Sequence, residues 1–85
     1  NPFNPTTRFV VAVPAEGPVE VVVFDLLGRR VRTLVQEALP AGFHTIAWDG
    51  GSDAGTQVTS GVYLVRMTAA GDQPFSAVRK LMLMK

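Results

Sequence analysis

Side chains able to do acid–base, metal or nucleophilic chemistry are scarce in this sequence. Its 85 residues include one His, one Tyr and no Cys. His44 has no second His and no thiol with which to share a metal, so its expected role is a hydrogen-bonded strand histidine rather than a ligand or pH switch. The loop Asp49-Gly50-Gly51-Ser52-Asp53-Ala54-Gly55 is the densest run of oxygen donors. Carboxylates spaced along a glycine-bearing loop can wrap Ca²⁺, which makes Asp49 and Asp53 the weak candidate ligands. The spacing is not that of an EF-hand and no Glu closes it. The expected alternative is that both carboxylates bind the backbone of their own turns, with no metal and no cofactor. Arg29, Arg30 and Arg32 form one basic cluster, and Arg79, Lys80 and Lys85 another. Such clusters can meet anionic lipid, polysaccharide or acidic protein; they also discourage sheet edges from pairing. A glycine-rich phosphate loop, a His-x-x-x-His pair and a nucleophile elbow are all missing. The sequence therefore points away from an enzyme.

The elements that would carry these residues follow from composition and periodicity. Eight Lys plus Arg against seven Asp plus Glu leave a net charge of +1, too little for a nucleic-acid footprint. A hydrophobic content of 47% excludes a disordered chain. No apolar stretch approaches the roughly 18–20 residues of a membrane helix, so no transmembrane segment is expected. The length suits one domain, residues 7–85, behind a lead-in segment, residues 1–6, whose prolines favour extended backbone. Because the chain begins at Asn1, we expect a module of a larger protein.

Alternation at period two marks strands. Phe9, Val11 and Val13 share one face, as do Val19, Val21 and Val23. Glu20, Val22 and Phe24 share the opposite face of their strand, which suggests cover on both sides. His44, Ile46 and Trp48 align, as do Tyr63, Val65 and Met67. Residues 31–39 fit a short helix or an edge strand; without a capping residue, the strand is favoured. Residues 75–84 make a last strand with an end apolar on both faces. Trp48 is the expected centre of the core. Six or seven short strands with regular turn signals predict a small antiparallel β-sandwich or barrel.

The order of motifs resembles a known family. Asn1-Pro2-Phe3-Asn4-Pro5, Val23-Phe24-Asp25-Leu26-Leu27-Gly28-Arg29-Arg30, Trp48-Asp49-Gly50, Gly61-Val62-Tyr63 and Arg79-Lys80-Leu81-Met82-Leu83-Met84-Lys85 resemble the C-terminal sorting domain of type IX secretion cargo. Over residues 18–84 the chain is also similar to the immunoglobulin-like domain of flagellar hook-capping proteins. Both resemblances imply an all-β, immunoglobulin-like antiparallel sandwich of about seven short strands. The first implies a non-catalytic sorting and surface-attachment module at the end of a larger secreted protein of a Gram-negative bacterium. Its partners would be the outer-membrane secretion machinery, a cargo catalytic domain in the same chain and surface lipopolysaccharide. Its site of action would be the cell surface, reached through periplasm and outer membrane. Gly61 to Tyr63 and Arg79 to Lys85 would then carry the sorting signal, and Asn1 to Pro5 would join the cargo. The second resemblance implies an assembly domain of the flagellar hook. A carbohydrate-binding or spacer sandwich is a further alternative.

Overall fold

Valine-rich alternation builds the strands, and turn residues separate them. The structure, a computed structural model, describes residues 6–71 and 74–84. The lead-in motif Asn1 to Pro5 and the terminal Lys85 lie outside the described residues. Six strands follow in order: β1 (Thr7–Val13), β2 (Gly17–Phe24), β3 (Arg30–Leu39), β4 (Gly42–Trp48), β5 (Gly61–Ala69) and β6 (Phe75–Leu83). They form two antiparallel sheets, β1-β4 and β3-β2-β5-β6. The expected all-β sandwich is present, with six strands among the described residues where about seven were expected. No helix of the described residues is long and apolar enough to cross a membrane.

The core lies between the sheets. Phe9, Val11 and Val13 from β1 meet Val19, Val21 and Val23 from β2 and Tyr63, Val65 and Met67 from β5. Trp48, at the end of β4, has no exposed surface. Val22 points to the outer face of the larger sheet yet is also fully buried, between Thr33 and Arg66 on the neighbouring strands. Beside it the Arg66 guanidinium lies 4.8 Å from the centre of the Phe24 ring, a cation–π contact that covers this face.

The ambiguity over residues 31–39 has a physical cause. β3 is a strand, but its pairing with β2 shifts between Val21 and Val22 and again between Val23 and Phe24. The register skips Leu34 and Val31, and each bulge resets which face the next residue takes. Val31, Leu34, Val35 and Leu39 can therefore all pack against the core with a spacing that imitates a helix.

The β2–β3 turn is held by one carboxylate. Asp25 Oδ1 accepts the N–H of Leu27 and of Arg29, each at 2.9 Å, and Oδ2 accepts Arg29 Nε at 2.7 Å. Gly28, at φ 84°, takes the left-handed conformation that closes the loop. The Arg29 backbone N–H foremost, with the Arg29 guanidinium and the Leu27 N–H, holds the Asp25 carboxyl below its ordinary value against a smaller opposing effect of burial. A carboxyl lowered in the folded state stabilises above its unfolded value of about 4 and loses that contribution as pH falls through the folded value. The urea midpoint should therefore decline on acidification below about pH 4. The Asp25→Asn variant should show a shallower decline, measured by fluorescence of the lone Trp.

Candidate functional site

The motif residues singled out in the sequence mostly turn inward and fasten the sandwich. Trp48 donates its indole N–H to the Gly51 carbonyl at 2.8 Å. Its ring meets that of Tyr63 edge-on, with centroids 5.1 Å apart and planes at 76°. The Tyr63 hydroxyl donates to the Thr59 carbonyl at 2.6 Å, a corner in which a tyrosine bonds backbone a few residues upstream. The two rings thus anchor both ends of the 49–60 loop. Gly61, which opens β5, has φ 156° and open space where a side chain would stand. Val62 is half-buried beside it, opposite Met82. Tyr63→Phe removes one hydrogen bond and leaves Thr59 O short of a partner. It should cost about 1 kcal/mol, read from urea unfolding.

The 49–60 loop closes on itself and on β3. Asp49 Oδ1 accepts the Gly51 N–H at 2.9 Å. Asp53 Oδ1 accepts the Thr33 N–H at 3.1 Å, while the Asp53 N–H donates to the Val31 carbonyl at 2.9 Å. The loop in this way extends the hydrogen bonding of the β3 edge. Both candidate calcium ligands are engaged with backbone: Asp49 with its own turn, Asp53 with β3 and not, as the alternative had it, with its own turn. Among the described residues, no group of three or more His, Asp or Glu is placed to hold a metal ion.

His44 Nε2–H donates to the Pro40 carbonyl at 2.8 Å, the role expected of it. The first basic cluster is engaged internally. Arg29 is paired with Asp25 at 2.7 Å; Arg30 stands 3.9 Å from Glu20 and Arg32 4.0 Å from Asp53. Arg30 also donates to Thr33 Oγ1, and Arg32 to the Ser52 carbonyl. Arg8, Arg79 and Lys80 differ: none makes an ion pair with another described residue.

The C-terminal candidates divide between core and surface. Leu81 and Leu83 are buried in the core, whereas Arg79, Lys80, Met82 and Met84 are exposed. Sequence reasoning missed an open groove between β1 and the first part of β6. It also missed the exposed pair Leu26 and Leu27 at the tip of the Asp25 turn. Only pairing order reveals the groove. The Asp-x-x-Gly-Arg spacing could have pointed to the clamped tip.

These features define the class. Two antiparallel sheets, a tryptophan between them and a tyrosine corner are an immunoglobulin-like β-sandwich module. Residues 3–73 match the family described as the FlgD Ig-like domain, and the chain belongs to that family. It is 43% identical over 67 residues to the basal-body rod modification protein FlgD of Salmonella typhimurium, and equally to that of Salmonella typhi. The match takes in 76% of this chain and 28% of each relative, so the chain spans little more than a quarter of their length. The structure of FlgD from P. aeruginosa superposes with a TM-score of 0.76 at 22% identity, covering 92% of this chain and 59% of that one. The crystal structure of FlgD from Xanthomonas campestris gives a TM-score of 0.73 at 25% identity, covering 94% and 58%. That protein is described in connection with hook capping essential for flagellar assembly.

These relationships correct the favoured resemblance. The family and the relatives are those of flagellar FlgD, not of type IX cargo. With that resemblance fall the sorting-signal function, the outer-membrane secretion machinery, the cargo catalytic domain and lipopolysaccharide as partners, and attachment at the cell surface. The hook-capping alternative is the one the relatives favour.

Proposed function

We propose that this domain is a non-catalytic, immunoglobulin-like assembly module of a FlgD-type hook-capping protein, and that it works on subunits of the flagellar hook. The observation that carries the reading is the family match over residues 3–73 together with 43% identity to proteins named FlgD. The geometry agrees with a module that acts by presenting surface. Its motif residues lock turns and core, and the exposed Leu26 and Leu27 sit on a firmly held turn. Because the chain spans only 28% of those relatives, the remaining capping work would fall to other parts of the parent protein.

The test is genetic. In the bacterium that carries it, a parent gene lacking the codons for residues 6–84 should leave basal bodies without hooks in electron micrographs, and the intact gene should restore them. The truncated parent must persist at normal levels on immunoblots. Hooks of normal number and length in that strain would overturn the proposal.

A further inference from the structure

The two sheets are unequal, with two strands facing four. They close at one end, where Thr7 Oγ1 donates to the Met82 carbonyl at 3.5 Å and Leu81 and Leu83 are buried. Toward the start of β6 they part. Every β6 residue from Phe75 to Lys80 is exposed. That includes Phe75, Ala77 and Arg79, which the register sets opposite the buried Ala69, Met67 and Val65.

The gap is an apolar groove. One section, of about 250 Å³, is lined by Phe9, Val11, Met67, Phe75, Ala77 and Arg79 among others. A second, of about 390 Å³, lies against Pro14, Phe43 and Phe75. Ala12 and Phe75 line both, so the two sections adjoin. Phe43, at its far end, is 82% exposed.

Both strands that bound the groove are sheet edges. Among the described residues β1 pairs only with β4, and β6 only with β5. An open edge of backbone N–H and C=O groups beside an apolar trough is what strand addition requires. Charge selects the occupant. Among the described residues, Arg8 on β1 and Arg79 on β6 make no ion pair, and both stand on the bounding strands. A second copy of the chain would bring the same basic edges and be repelled.

We propose that this groove is a strand-docking site for an extended acidic–apolar peptide segment of a partner protein. The segment adds to the free edge of β1. Its alternate apolar side chains fill the trough over Phe9, Val11 and Met67, and its Asp or Glu residues pair with Arg8 and Arg79. Such an added strand makes the smaller sheet three-stranded and covers the part of β6 that the sandwich leaves open.

Peptides of about eight residues, a usual strand length, test this by amide NMR on the 85-residue chain. One alternates Val with Glu, the other Val with Lys. The Val/Glu peptide should shift amides of β1 and of Phe75 to Lys80 saturably, and the Val/Lys peptide should not. Ala77→Glu, at an exposed position facing the trough, should weaken binding by about tenfold or more with the remaining spectrum unchanged. Thr45→Glu, exposed on β4, should leave binding as it was. Arg79→Glu should reduce the preference for the Val/Glu peptide. The proposal is overturned if neither peptide binds, if both bind equally, or if the shifts map to another surface. It is also overturned if the chain alone forms a dimer that Ala77→Glu dissociates, since the occupant is then a second copy.

Discussion

Replacing Trp48 with alanine should remove about 3–5 kcal/mol of stability, the usual loss when a large buried aromatic is cut back to a methyl group. The ring has no exposed surface, so the substitution leaves a cavity between the sheets. It also deletes the indole N–H bond to the Gly51 carbonyl and the edge-on contact with Tyr63. A domain of this size holds roughly 4–13 kcal/mol in total, at about 0.05–0.15 per residue. The variant should therefore melt at least ~12 °C lower, at about 4–8 °C per kcal/mol, or fail to fold. Calorimetry reads this directly. A loss under about 1 kcal/mol would mean that the sandwich is not built around this ring.

Leu83→Ala should cost about 2–5 kcal/mol, while Met84→Ala, one residue further, should stay within about 0.5 kcal/mol. Leu83 is fully buried and Met84 is 71% exposed. Leu83 also packs on the loop backbone: its Cδ2 lies only 3.2 Å from where a Cβ on Gly50 would stand. The end of β6 therefore helps hold the loop that Trp48 and Tyr63 fasten from the other side. Urea unfolding of the two variants side by side separates a core role for this end from a purely surface one. Equal losses would contradict the packing described above.

The strands legible in the sequence are those whose alternation survives folding unbroken. Phe9, Val11 and Val13 in β1, and Tyr63, Val65 and Met67 in β5, are buried as their spacing predicts. β3 resists such inspection because its bulges displace Val31 and Leu34 from strict alternation. The docking of Asp53 on Thr33 and Val31 is equally silent, since Asp53 follows Thr33 by 20 positions and no local pattern encodes the contact. The β1–β6 groove depends on which strands end up as edges, a property of topology that no single segment carries.

The same physics explains why the motifs suggested two families. Asp25 with Gly28 and Arg29 clamps a turn, Trp48 ties the loop, and Tyr63 makes a corner. Each of these residues is spent on holding the sandwich together. Residues used in this way specify the fold well and the partner poorly, so any module that solves the same packing problem will share them. Information about the partner lies in the exposed positions, such as Leu26, Phe43, Arg79 and Lys80, whose types are loosely constrained by the fold.

Immunogold electron microscopy, with antibody raised against residues 6–84, gives the most direct check on the hook-assembly role. In cells of the source bacterium caught while building flagella, gold particles should gather at the distal ends of growing hooks. Particles scattered over the cell envelope, with hook ends bare, would contradict it.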